Sequence, residues 1–200
     1  MSNLVDFLIE IDQLKRTYRF STLPMETHDS VADHSWRLIL MTNIVAEKYG
    51  INLNKEKAVR IAMVHDLPEY ITGEIDSKLI KMGKVSKEEK NSLEEKAIKD
   101  IETRFGEIGK EISNLWHEFE YGTSRESIYV RALDKIEAIT HLISIGCENY
   151  DNDWEYTATY ADEVVNNFPE LRPLLKEVKQ KLKEECERVG GVWKKEYELI

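Results

Sequence analysis

Apolar residues recur along this chain at intervals of three and four, the period of an α-helix with one buried face, and strand-like alternation is scarce. Leu4, Phe7, Leu8, Ile11 and Leu14 trace such a stripe through a first helix ending near Arg16. Ser30 precedes the run VADHSWRLILMTNIVAEKY, Asp33 stands three positions on to return a capping bond, and Gly50 closes the segment. This predicts a second helix with His34 in its first turn. Asn54 is placed to cap a third helix, KEKAVRIAMVHD, which Pro68 interrupts because its ring would clash with the carbonyl four residues back. Ser86 with Glu89 reads as a capping box for a charged helix through about Arg104, and Thr123 with Glu126 reads the same way for a long helix to about Tyr150. Further helices fit residues 107–119, 157–167 and 170–188, and GGVWKKEYELI reads as a short tail or docking segment. The expected fold is all-α, a single-domain helical bundle over residues 1–200.

Composition narrows the partners. Two hundred residues with 42% apolar content bury a substantial core without needing a second domain. With 38 acidic and 28 basic side chains the formal charge is −10, so the surface as a whole repels nucleic-acid polymers, while a small phosphorylated substrate needs positive charge gathered locally. Cys147 and Cys186 form no Cys-x-x-Cys pair and suit a reducing cytosol as packing residues. The N-terminus carries acids inside its apolar run and lacks a cleavage site, so no secretory signal is expected. No apolar run reaches the length of a membrane span, and the expected setting is cytoplasmic. Lysine and glutamate runs read most simply as solvated helix faces.

The candidate chemistry begins at His65 and Asp66. Neighbours on a continuous helix point about 100 degrees apart, so one metal can use both only where side chains converge at a disrupted end, and Pro68 supplies that disruption. An imidazole and a carboxylate favour a borderline divalent cation and need partners from elsewhere; His34 and Asp134, each on its own helix, are candidates. A His-Asp dipeptide alone is weak, and His34 alone is an ordinary first-turn polar residue. Asp134 is the stronger clue, because Ala132, Leu133, Ile136 and Ile139 surround it with core-facing positions, where a carboxylate is costly unless paired or bound to a cation.

The order His34, then His65-Asp66, then Asp134 on successive helices resembles the HD-domain phosphohydrolase superfamily. SVADHSWR, AMVHDLPEYITGEI and RALDKIEA, three motifs in order within about residues 10–145, resemble its 5′-deoxynucleotidase branch. The resemblance implies one divalent metal ion held by His34, His65, Asp66 and Asp134, with manganese, cobalt, iron and zinc all compatible, that activates a water for attack on phosphorus. It assigns Glu69 as acid/base catalyst and Arg19 as the phosphate-orienting residue. Without it, Glu69 reads as a first-turn glutamate and Arg19 as a surface arginine. Arg19, Phe20, His34, Asp66, Thr72, Glu74 and Asp134 are the implied substrate contacts. Two departures bear on selectivity: Phe20 stands where related enzymes often carry tryptophan, and Glu74 where the deoxynucleotidases carry a shorter aspartate. Asp76 and Ser77 either extend the same wall or serve as turn and cap residues. His28, His117 and His141 are not metal candidates, and Trp36, Trp116, Trp154 and Trp193 read as packing or contact residues.

The implied activity is hydrolysis of (deoxy)nucleoside 5′-monophosphates to nucleoside and phosphate, in a homodimer as related proteins often are. Three alternatives remain at this stage. One is an HD hydrolase of a nucleoside triphosphate or cyclic nucleotide, another is a catalytically silent nucleotide-binding regulator, and the third is a purely structural helical protein.

Overall fold

In the computed structural model, which describes residues 4–23, 28–146 and 153–198, the first apolar stripe forms α1, Leu4–Glu10. From Ile11 to Arg16 the chain tightens into a 3-10 helix, so the predicted segment keeps its end and changes its winding. Ser30 then opens α2, Val31–Lys48, with both halves of the expected capping box: its hydroxyl accepts from the Asp33 N–H, and the Asp33 carboxylate accepts from the Ser30 N–H, each at 3.1 Å. Asn54 caps α3, Lys55–Val64, by accepting from the Lys57 N–H. After a tight turn at 65–68 the chain makes α4, Glu69–Thr72, and then α5, Ser77–Lys81.

The Ser86–Glu89 capping box opens α6, Lys87–Tyr121. This segment is two helices joined at Gly106, whose φ of 58° and ψ of −127° are non-helical, a conformation that glycine adopts without the Cβ penalty. The break falls between the predicted helices ending near 104 and beginning near 107. The next helix, α7, spans Arg125–Ile145 and corrects the expected cap: Ser124, not Thr123, accepts the Ser127 N–H. Glu126 does not close the box because its carboxylate accepts the Asn54 N–H at 2.9 Å instead, a tertiary contact that local sequence does not show. Tyr150 and Cys147 lie outside the described residues. The C-terminal third forms α8, Trp154–Thr159, α9, Asp162–Asn166, and α10, Arg172–Arg188. A last 3-10 turn, Lys195–Glu198, docks through buried Tyr197.

The fold is all-helical, and the described residues include no strand, only an isolated bridge between Tyr18 and Ser30. The main core joins α2, α3 and α7 through fully buried Leu38, Ile61, Leu133 and Ile136, with Leu175 and Leu182 of α10 behind. Burying each such side chain stabilises the fold by roughly 1.5–3 kcal/mol. A second cluster packs Phe7, Val64, Leu67, Ile98, Ile101 and Trp116. Ile61 and Ala62 belong to the first cluster and Val64 and Leu67 to the second, so the His65–Asp66 step is clamped at their junction. Trp116 and Trp154 are core residues as expected, whereas Trp36 is 65% exposed. Cys186 is a buried free thiol. No helix of the described residues is long and apolar enough to cross a membrane.

Candidate metal centre

The turn predicted at Pro68 brings the His65 and Asp66 side chains together. His65 caps α3, Leu67 and Glu69 donate their N–H groups three residues back, to Val64 and Asp66, and His65 Nε2 ends 3.0 Å from Asp66 Oδ2. From the first turn of α2, His34 Nε2 reaches to 3.1 Å from His65 Nε2, 3.5 Å from Asp66 Oδ2 and 3.2 Å from Asp134 Oδ1 on α7. Ligand atoms of His34, His65 and Asp66 thus lie within 4.8 Å of one another, and Asp134 joins them through its approach to His34.

The hydrogen bonds on the far side of each ring fix what that cluster can hold. His65 Nδ1 faces the Ala62 carbonyl at 2.9 Å, and His34 Nδ1 faces Glu137 Oε2 at 2.6 Å. A carbonyl and a carboxylate only accept, so both Nδ1 atoms carry the proton of a neutral ring and both Nε2 atoms present lone pairs. Two lone pairs 3.1 Å apart, ringed by carboxylate oxygens, repel unless a cation lies among them. The donor set of two imidazoles and two carboxylates fits a divalent metal, held as second-layer partners hold metal-binding histidines elsewhere.

The electrostatics agree. Burial alone would raise both aspartate carboxyls; for Asp66, His65 and His34 override it, and for Asp134, Lys135 and His34 do, leaving each below the usual range. Burial and the Arg19 charge oppose an imidazolium at His34, yet Asp134 and Glu137 lift it to about 9 when no metal competes. A proton then serves as the cation that the cluster demands.

Beside this centre runs a cavity lined by Arg19, Phe20, Asp66, Glu69, Glu74, Lys90, Asp134 and Lys135, continuing past Ile75, Ala138, Ile139, Leu142, Tyr156 and Tyr160. Its wall carries charged side chains together with apolar and aromatic ones. Glu69 opens α4 at 1% exposure, and neither carboxylate oxygen accepts a hydrogen bond; Lys90 Nζ stands 3.6 Å from Oε1. Burial, then Asp66 and Glu74, push its carboxyl well above the ordinary glutamate value, a perturbation of the kind that marks groups handling protons. Gly73, at φ 72°, ends α4 and turns the chain so that Glu74 returns to the cavity wall.

Arg19 lines the cavity with its Nη1 3.0 Å from Asp29 Oδ2 and 3.3 Å from Glu137 Oε2. It is a buried, held group rather than a surface arginine. Phe20 follows at φ 60°, which costs a non-glycine residue roughly 1–2 kcal/mol. Its ring stacks on His141 at 5.3 Å, with the Arg19 guanidinium 4.9 Å from the ring centre. His141 takes this packing role. Asp76 lines the cavity and also caps α5, accepting from Lys78 and from Thr22, so both readings of it hold. Thr72 is not brought to the cavity: its hydroxyl donates to the Gly73 carbonyl at 3.0 Å.

Four residues without a sequence-derived role also belong to the site. Glu137 is fully buried, accepts from His34, and lies 2.9 Å from Arg37 Nε; its signal was its place three residues after Asp134, on the same helical face. Lys90 and Glu94 correct the reading of the lysine and glutamate runs as solvated, since Glu94 is 6% exposed and continues the stripe of Ala97, Ile98 and Ile101. Lys135 donates to the Tyr160 hydroxyl at 2.8 Å, a contact from the C-terminal third.

A family model described as HD domain matches residues 11–172. The chain belongs to the HD-domain family. This HD-domain protein is 33% identical to the 5′-deoxynucleotidase HDDC2 of Bos taurus over 88% of its own length and 84% of that protein. It is 31% identical to the 5′-deoxynucleotidase YBR242W of Saccharomyces cerevisiae over 80% and 65% of the two chains. A conserved hypothetical protein from Pyrococcus furiosus superposes with a TM-score of 0.68 at 27% identity, over 88% of this chain and 99% of that one. A predicted metal-dependent phosphohydrolase from Magnetospirillum magnetotacticum shares the fold, with a TM-score of 0.67 at 20% identity over 94% and 96%.

Proposed function

We propose that this HD-domain protein is a metal-dependent phosphomonoesterase that hydrolyses (deoxy)nucleoside 5′-monophosphates to nucleoside and inorganic phosphate. The observation that carries the reading is Glu69: a buried carboxyl with both oxygens unsatisfied, its proton affinity raised, facing the same cavity as the His34, His65, Asp66 and Asp134 cluster. Such a group is expensive to keep unless it handles a proton during chemistry. The relatives named as 5′-deoxynucleotidases support the substrate class, as does a cavity whose wall carries both charged side chains and apolar and aromatic ones.

A divalent ion held by the four ligands supplies Lewis acidity and lowers the pKa of a coordinated water. The remaining work falls to the chain. Arg19, fixed by Asp29 and Glu137, orients phosphate oxygens without needing to be ordered on binding. Glu69 takes a proton from the attacking water and returns one to the departing 5′ oxygen. Phe20 and the apolar wall of Ile75, Ile139 and Leu142 receive the sugar and base. Glu74, beside Glu69 in the same wall, is the residue through which ribose and deoxyribose would be told apart. We also infer a homodimer; a species of 23.4 kDa at micromolar concentration in sedimentation equilibrium would remove that inference.

The test is phosphate release from ribo- and deoxyribonucleoside 5′ mono-, di- and triphosphates, with metal stripped and divalent ions added back singly. Metal-dependent release from monophosphates is expected, with Glu69→Gln losing roughly 10²–10⁴-fold in turnover while keeping its metal. Turnover unchanged in Glu69→Gln would defeat the assignment.

A further inference from the structure

Two of the cations in the cavity wall have no part in the mechanism so far. Lys90 projects from α6 on the Glu69 flank, with Nζ 3.6 Å from Glu69 Oε1 and 3.4 Å from Glu94 Oε1. Lys135 projects from α7 on the Asp134 flank, with Nζ 3.5 Å from Asp134 Oδ2 and 2.8 Å from the Tyr160 hydroxyl, over the ring of the same tyrosine. Both line the cavity, and their side chains are only 23% and 33% exposed.

An ammonium group has three N–H donors. Lys135 gives one to Tyr160 and leans toward Asp134, and the described residues show no further partner for it. Lys90 meets two carboxylates, Glu94 at 3.4 Å and Glu69 at 3.6 Å, which leaves at least one of its three donors over. Donor capacity is therefore left over on both sides of one cavity. Two like charges with spare donors, converging on a partly desolvated space, are an unfavourable arrangement that an anion between them relieves.

We propose that Lys90 and Lys135 are the two sides of a clamp on the phosphoryl group, and that the clamp favours a terminal phosphate dianion over a singly charged diester. Lys90 closes on it from the Glu69 flank and Lys135 from the Asp134 flank, while Tyr160 is a positioning residue that holds Lys135 in place. The C-terminal third thereby becomes part of the active site. The inference rests on the phosphomonoesterase reading above and extends it from the metal and Arg19 to two further cations.

The test is calorimetric titration of the metal-loaded protein with inorganic phosphate, dimethyl phosphate and a nucleoside, in wild type, Lys90→Gln, Lys135→Gln and Tyr160→Phe. Each lysine variant is expected to weaken inorganic phosphate by about tenfold or more, the scale of a lost charged hydrogen bond, and to narrow its advantage over dimethyl phosphate. Nucleoside affinity and metal content stay unchanged, and Tyr160→Phe shows a smaller loss of phosphate affinity. Lys90→Arg and Lys135→Arg, which keep the charge, retain most of the phosphate affinity. Phosphate binding indifferent to both glutamine variants overturns the clamp, as does an equal loss of phosphate and nucleoside binding. Because no turnover is read, the two proposals fail separately. Lysine-dependent phosphate binding in a protein that hydrolyses no nucleotide removes the nucleotidase reading alone, and nucleotide turnover with lysine-independent phosphate binding removes the clamp alone.

Discussion

The Glu137→Gln substitution probes how far the metal centre depends on a residue that touches no metal. Glu137 Oε2 takes the Nδ1–H of His34 at 2.6 Å and an Arg19 N–H at 3.3 Å, and Oε1 lies 2.9 Å from Arg37 Nε. A glutamine can accept on one side only; its NH₂ group must face a donor, and the charge that balances two arginines disappears. At least one charged hydrogen bond is lost, about 1.5–3 kcal/mol, while Arg19 keeps its contact with Asp29. For the metal, His34 loses the acceptor that sets its tautomer and aims Nε2, and such outer partners are typically worth 10–100-fold in affinity. Manganese and cobalt affinity, read by chelator competition, is therefore expected to fall by that range, with a lowered melting midpoint in the metal-free protein. Affinity within twofold of wild type would show that the ring is positioned by its packing between α2 and α7, and the argument from Glu137 would be lost.

Other expectations follow from the same geometry. Chelating the metal lowers the melting midpoint: at a metal concentration 100 times the dissociation constant, binding to the folded state contributes about 2.7 kcal/mol, or roughly 5–10 °C for a chain of this size. A midpoint unmoved by chelation would show that the cluster binds no ion. Metal affinity should also rise with pH. In the metal-free protein the His34 value is lifted from 6.5 to about 9, so protonation stabilises that form fully below 6.5 and the benefit is lost as pH rises through 9. A metal needs the neutral ring, so the proton competes, and apparent affinity climbs about tenfold per pH unit below 9 and then levels. A flat profile between pH 7 and 9 would refute this. Ser30→Ala removes one half of the α2 capping box and costs about 1 kcal/mol, read by urea denaturation. Because His34 sits in that first turn, metal affinity should weaken with it.

How much of this was legible in the sequence depended on whether the controlling contact was local. The caps at Ser30, Asn54 and Ser86 are made with residues three positions away, and each forms as the sequence predicts. The cap of α7 shifts by one residue because Glu126 is drawn across the fold to Asn54. The four proposed metal ligands could be named because three motifs carry them in order, and Asp134 alone announced itself as a carboxylate among core residues. Glu94 has the same signature, an acid on the stripe of Ala97, Ile98 and Ile101, but the surrounding lysines and glutamates disguised it as part of a solvated face. Lys135 could not be read at all. Its partner Tyr160 lies 25 positions away, beyond the segment that carries the motifs.

The cations and carboxylates of the site also explain how an acidic chain can host an anionic substrate. The net charge of −10 acts from across the whole surface, where salt screens it beyond a distance of about 8–10 Å. Arg19, Lys90 and Lys135 act inside the cavity, at contact range and partly shielded from water, where screening is weak and each interaction is stronger. The acids around them do not cancel that effect, because they have other work. Asp66 and Asp134 are the carboxylates proposed for the metal, Glu137 holds His34 and Arg19, and Glu94 pairs with Lys90. Each acid fixes a cation or a ligand in place before the substrate arrives. It follows that substitutions within this network should not be additive. Removing Glu137 and Arg19 together costs less than the sum of the two single losses, because the contact between them is lost in each single change but only once in the double change.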